Sequence, residues 1–243
     1  MSDVLTLLVD GPASGAENMA RDLALLDACA RGETAGAVRL YGFAPPCLSI
    51  GRLQPLSDVD AAACARDGVD VVRRPSGGRA VLHDREVTYA VICRAGDPDL
   101  GGDVLQSCAR IHAAVAAGLK NLGLRVQPRL APSDVRGDAR AVSASADCFA
   151  RPAVHELLDA HGRKLVGSAQ ARRRGALLQH GSVPLDPPRA SAYLSAGGDP
   201  QPDTGIRALL GRSVDADEVR DALIDGFAGL LGARLRVPVD TTA

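Results

Sequence analysis

Aromatic residues are scarce in this chain: Phe, Tyr and Trp together make up 2% of its 243 residues, and Trp is absent. Single-stranded nucleic acid is bound largely by stacking on such rings, so that class of partner is disfavoured. The formal net charge of -1 lacks the basic excess that phosphate-backbone binding needs. No apolar run approaches the roughly 20 residues of a membrane span, and Met1 to Asp10, with Asp3 and a short apolar stretch, does not read as a secretory signal. The six cysteines, Cys29, Cys47, Cys64, Cys93, Cys108 and Cys148, contain no Cys-x-x-Cys pair and no dense framework. Neither a zinc site nor a disulfide is indicated, and a reducing cytoplasm is the expected setting.

What is present is a 46% hydrophobic chain whose core must be filled by Leu, Val, Ile and Ala. One domain over 1–243 is expected, with the polar connection Pro187 to Pro202 setting off a small helix-strand element at 203–243. Helices are predicted at Glu17 to Ala30, Ser57 to Arg66, Val104 to Leu122 and Asp215 to Leu231. Asp215 and Glu218 stand in capping-box spacing. Strands are predicted at Val4 to Val9, Ala37 to Phe43, Cys47 to Gly51, Val69 to Arg74, Ala80 to His83, Glu86 to Cys93, Leu124 to Gln127, Val154 to Leu158, Lys164 to Ala171 and Ala176 to Leu185. Pro45-Pro46 suggests a hairpin or edge turn, and Pro128 to Asp147, rich in Pro, Ser, Gly, Asp and Arg, reads as a mobile loop.

Two features carry chemistry. Cys148 follows a run of small and polar residues, and Lys164 stands sixteen positions later in Gly162-Arg163-Lys164-Leu165-Val166-Gly167-Ser168-Ala169. A thiol needs a nearby cation to ionise near neutral pH, and a lysine brought beside it by a strand pair would supply one. The second feature is the loop Arg73-Arg74-Pro75-Ser76-Gly77-Gly78-Arg79 with Ala80-Val81-Leu82-His83-Asp84 after it. Paired glycines let backbone N–H groups approach a carbonyl or phosphate oxygen, and the arginines add positive charge. The same loop could be an ordinary turn, His83 and His180 could be hydrogen-bonded structure, and Arg172-Arg173-Arg174 could be a solvated charge run or a docking patch for an acidic carrier protein.

The run Arg73 to Tyr89, Gly162 to Ala169 and Leu178-Gln179-His180-Gly181-Ser182 resembles the lipoate-protein ligase and octanoyltransferase family, related in fold to biotin-protein ligases. Glu17 to Asp22 and Ile50-Gly51-Arg52-Leu53-Gln54 fit the family's first helix and second-strand signature. The resemblance implies an α+β fold, with a mixed, largely antiparallel sheet flanked by helices, similar to the class II aminoacyl-tRNA synthetase catalytic domain. Within the family, Asp147-Cys148-Phe149-Ala150-Arg151-Pro152 followed by Glu156-Leu157 is similar to the octanoyltransferases of the LipM type. Ligases tend to carry an Asn-Asp pair in that region, a third glycine where this chain has Arg79, and Gly-Asn where it has Arg85-Glu86.

The resemblance implies Cys148 and Lys164 as catalytic residues, with Arg74, Ser76, Gly77, Gly78, His83, Gly167, Ser168 and Ala169 binding substrate. Cys148 would take an octanoyl group from octanoyl-acyl-carrier protein and pass it to a lysine of a lipoyl domain or glycine-cleavage H protein. Lys164 would favour the thiolate, and amides of Gly77-Gly78 or Gly167-Ser168-Ala169 would hold the oxyanion. An activated thioester donor requires no nucleotide, so no cofactor and no metal are expected. The alternatives are an ATP-dependent lipoate ligase, an amidotransferase between lipoyl proteins, and a non-catalytic module that binds lipoyl domains. Ala153 and His155 depart from the octanoyltransferase pattern, where a serine and an aromatic are usual.

Overall fold

The computed structural model describes residues 4–129, 156–195 and 204–237. The chain opens with β1 (Leu5–Val9), α1 (Gly15–Arg31), β2 (Gly36–Tyr41), β3 (Cys47–Ile50), α2 (Ala61–Asp67) and β4 (Asp70–Arg73). It continues through β5 (Val81–His83), β6 (Glu86–Arg94), α3 (Val104–Asn121), β7 (Gln127–Pro128) and β8 (Leu157–Leu158). It closes with β9 (Lys164–Arg173), β10 (Ala176–Pro184), α4 (Ile206–Leu210), α5 (Ala216–Leu231) and β11 (Leu235–Arg236).

Helix starts follow side-chain caps. Ser14 Oγ accepts from Glu17 N, and the Glu17 carboxylate accepts from Ser14 N at 3.0 Å, so α1 begins two residues before the predicted Glu17. Asp103 and Gln106 form the same box on α3. On α5, Asp215 accepts from Glu218 N at 2.8 Å, but the Glu218 carboxylate turns to Arg212, so only half of the predicted box forms. Asp60 caps α2, and the predicted helix start at Ser57 falls in a separate 3-10 turn, Leu56–Asp58. On α3 the buried stripe runs through Ile111, Val115 and Leu119, whereas Val104 at its start is 52% exposed.

The large sheet has eight strands in the order β11-β1-β2-β6-β10-β9-β8-β7. β1 is parallel to both β2 and β11, and the remaining pairs are antiparallel. This is the mixed, largely antiparallel α+β architecture expected. The Pro45-Pro46 segment is not a hairpin. It carries the chain out of the large sheet into a second, three-stranded one, β4-β3-β5, in which β3 is parallel to β4 and antiparallel to β5. Two prolines remove two backbone donors, which suits a strand that ends rather than one that turns back into its own ladder. From residue 130 onward, the loop expected over Pro128 to Asp147 lies outside the described residues.

Strand alternation gives the large sheet two different faces. One packs Val38, Leu40, Val87, Tyr89 and Val91 against Ile111, Val115 and Leu119 of α3 and Val219, Leu223 and Phe227 of α5. Those helices lie close because a Cβ on Gly226 would stand 2.2 Å from Ala114 O, and one on Gly118 would stand 2.3 Å from Ala222 O. The C-terminal segment is thus built into the main core, and β11 extends the sheet beside β1. The other face carries Ala90, Ile92 and Leu178 against Met19 and Leu26 of α1. No helix of the described residues is long and apolar enough to cross a membrane.

Candidate active site

A cavity opens between the α1 face of the large sheet and the small sheet. Its walls are Tyr41, Thr88, His180 and Ser182 from β2, β6 and β10, Gly167 to Ala169 of β9, Ser49, Val81 and His83 of the small sheet, with Arg74 and Met19. The register explains why these residues meet: Tyr41 stands opposite Thr88, Thr88 opposite Ser182, and Ser182 opposite Gly167. Small residues on β9 leave the space that the facing polar residues line. Beyond Val166, no described strand pairs with the outer side of β9, so its outward N–H groups are not committed to a ladder there.

The glycine loop is shaped by its own arginines. Arg74 donates from Nη2 to Gly77 O at 2.7 Å and Arg79 O at 2.6 Å, and from Nη1 to Ser49 O at 2.9 Å. Arg73 Nη1 donates to the carbonyls of Gly51, Arg52 and Gln54 at 2.8, 3.1 and 2.7 Å. Both guanidinium groups brace backbone carbonyls, and Arg74 does so on the cavity wall. Gly78 has φ +89, and a Cβ on Gly51 would lie 1.9 Å from Gly78 O, so the two loops touch backbone to backbone.

Two buried polar chains end at this loop and at Ser49. In the first, Ser76 Oγ pairs with His180 Nε2 at 2.6 Å, and His180 Nδ1 with Asp22 Oδ2 at 3.2 Å. Asp22 also accepts from Tyr41 at 3.0 Å and from Arg39 at 2.7 Å, and Arg39 continues to Asp10. Burial, the largest cause, pushes the His180 imidazole below its ordinary 6.5, against the opposing pull of Asp22. In the second chain, Ser49 Oγ pairs with His83 Nε2 at 2.8 Å and His83 Nδ1 with Glu86 Oε1 at 2.7 Å. Thr88 and Ser182 both donate to the Glu86 carboxylate. His83 stacks on Phe43 with ring centroids 4.2 Å apart.

Lys164 opens β9, is 2% exposed, and donates from Nζ to Glu156 Oε1 at 2.6 Å. Glu156 lies close enough to offset part of the field that Lys164 would exert on a thiol, so the pair acts as a unit rather than as a lone cation. Cys148 lies outside the described residues. The other five cysteines are unsuited to nucleophilic attack: four are buried, and Cys108 is partly so. Burial raises every one of these thiols, Cys47 to about 12 and Cys108 to about 11. Among the described residues no cluster of His, Cys, Asp and Glu could hold a metal ion.

Of the predicted site residues, the structure brings Arg74, Ser76, His83, Gly167, Ser168 and Ala169 to one cavity or directly onto its wall. Gly77 and Gly78 sit in the adjoining loop, and Lys164 lies further along β9. The arginine run is at the other end of that strand. Arg172 donates to Gly102 O and Ser107 Oγ, Arg173 pairs with Asp27, and Arg174 holds the turn with φ +47. Along β9 the run begins three residues beyond Ala169 of the cavity wall, about 10 Å at 3.3 Å per residue. Sequence reasoning missed Ser49, Asp22, Glu86 and His112, whose Nε2 pairs with Ser168 Oγ at 2.8 Å. The only available signal was their polarity at strand or helix positions that otherwise face a core.

Comparison with known proteins decides the family. Residues 14–228 match the lipoyl protein ligase A/B catalytic domain. The chain belongs to that family. It is 43% identical to octanoyltransferase LipM of Kyrpidia tusciae, over 98% of this chain and 90% of that protein. It is also 43% identical to octanoyltransferase LipM of Carboxydothermus hydrogenoformans, over 88% and 82% respectively. Among solved structures, a T. acidophilum protein with bound lipoic acid superposes with a TM-score of 0.71 at 26% identity, covering 100% of this chain and 91% of that one. Lipoate-protein ligase A bound with ATP superposes at 0.70 and 25%, covering 100% and 90%. This lipoyl ligase fold is therefore similar in proteins whose names imply different donor chemistry.

Proposed function

We propose that this chain is an octanoyltransferase of protein lipoylation, moving an octanoyl group from octanoyl-acyl-carrier protein through a Cys148 thioester to the target lysine of a lipoyl domain or glycine-cleavage H protein in the cytoplasm. The observation that carries the proposal is the near full-length similarity to octanoyltransferases at 43% identity. The state of the other thiols supports the choice of nucleophile, because burial raises each of the five. An acyl-carrier thioester is already activated, so exchange onto Cys148 is nearly balanced in free energy and aminolysis to an amide runs downhill. Lys164, held by Glu156, positions the substrate carbonyl, and outward amides of β9 around Gly167 to Ala169 take up the oxyanion.

A ligase on the same scaffold would start from a free carboxylate and need ATP. Purified protein given an apo lipoyl domain should modify it with octanoyl-acyl-carrier protein and not with octanoate plus ATP. The reverse pattern would establish a ligase. Transfer only from an octanoylated H protein would establish an amidotransferase, and no modification with any donor would leave a binding module.

A further inference from the structure

The chain Ser49–His83–Glu86 has the connectivity of a proton relay. Glu86 is buried and accepts from three donors, His83 Nδ1 at 2.7 Å together with the hydroxyls of Thr88 and Ser182. The Glu86 oxygen beside Nδ1 already accepts from Thr88, and a carboxylate oxygen facing Nδ1 favours the tautomer with the imidazole proton on that nitrogen. Nε2 is then the acceptor, and Ser49 Oγ donates to it at 2.8 Å. Arg74 Nη1 donates to the same Oγ at 3.2 Å, so the hydroxyl proton has one direction open to it, toward His83. Phe43 stacked on the ring and the β3–β5 ladder fix the imidazole plane. Ser49 and His83 both line the cavity. A carboxylate, an imidazole and a hydroxyl run in series from buried Glu86 to the cavity wall, the order in which proton transfer to an oriented base is built.

The geometry points to His83, oriented by Glu86 and reached through Ser49, as the proton acceptor for aminolysis of the acyl-enzyme, an inference that rests on the transferase reading above. The attacking lysine amine is neutral when it forms the C–N bond, and the nitrogen then carries a proton it must lose. That proton passes to Ser49 Oγ as the Ser49 proton passes to His83 Nε2. The thioester C–S bond breaks, Cys148 leaves as thiolate, and the imidazolium releases its proton to solvent. No oxidant, reductant or added co-reactant is needed. Loading of Cys148 from a carrier thioester exchanges one thiol for another and requires no amine deprotonation, so the relay acts on the second half-reaction alone.

The charged and titratable groups around the imidazole are Glu86 on β6, Arg74 after β4 and His180 on β10.

Single-turnover mass spectrometry separates the two halves: loading from octanoyl-acyl-carrier protein, then discharge to an apo lipoyl domain. In His83→Gln the rate of discharge relative to that of loading should fall roughly 10²-fold, the scale of general base catalysis. Glu86→Gln and Ser49→Ala should lower the same ratio, with far-UV circular dichroism as their proof of folding. In His83→Gln the acid limb of the discharge rate against pH should disappear. Unchanged discharge in all three variants would overturn the relay, and so would equal slowing of loading and discharge, which marks a bracing role. A wild-type protein that never loads would overturn the transferase reading, and the relay with it.

Discussion

The two faces of the large sheet are made from the same strands and bury different things. On the α3–α5 face, Val38, Leu40, Val87 and Val91 meet Ile111, Leu223 and Phe227, and the helices close through Gly118 and Gly226. On the α1 face, alternate positions of β2, β6 and β10 are Arg39, Tyr41, Thr88, His180 and Ser182, and nearly all their partners lie on other elements. The first face stabilises by removing apolar area from water, at roughly 25 cal/mol per Å². The second holds buried ions whose desolvation offsets much of their attraction, so its main product is geometry: the glycine loop is tied through Ser76 and His180 to α1. One face keeps the molecule folded, and the other places its site.

Substitutions can break that division of labour. The largest effect is expected from Asp22→Asn, which removes one of the two carboxylates that pair with Arg39 and weakens the support of His180. Removing one partner of a buried ion pair typically costs about 3–5 kcal/mol, and the retained Asp10 contact places this change near the lower end. Denaturant unfolding should show that loss, and transfer should fall by more than the unfolded fraction explains, because the loop is no longer anchored.

Gly226→Ala sharpens the contrast from the other side. Its Cβ would fall 2.2 Å from Ala114 O, forcing α3 and α5 apart at a cost of about 1–3 kcal/mol. The melting temperature should drop while the specific activity of the folded fraction is unchanged. A loss of activity with retained stability would contradict the separation of the two faces.

The smallest effect concerns pH. His180 is held below 6.5 chiefly by burial, so the unfolded chain binds a proton that the folded chain refuses. That contribution is complete above 6.5 and is lost as the pH falls from there through the lowered folded value. Thermal unfolding followed from pH 7.5 to 5 should show a decline that is shallower in His180→Gln.

Much of the fold was legible because its signals are local. The apolar period announced α1, α3 and α5, Asp215 marked the start of the last, and most of the strands were read from their composition. The second sheet was not legible: Pro45-Pro46 reads the same whether the chain turns back or leaves the sheet, and only the pairing of β3 with β4 and β5 distinguishes the two. At the site, the glycine loop and Lys164 stood out as motifs, but their partners did not. Ser76 meets His180 and Asp22 meets His180 across 104 and 158 residues, and no window of sequence contains such a contact. The charge of Arg73 and Arg74 was visible in the sequence, while the carbonyls they bond were not.

The central claim is a thioester on Cys148. The protein should be mixed with octanoyl-acyl-carrier protein in the absence of any acceptor, and its intact mass measured alongside that of Cys148→Ala. A single octanoyl adduct on the unmodified chain, absent from the variant and discharged by an apo lipoyl domain, is the predicted result. No adduct, or one that persists in Cys148→Ala, would contradict it.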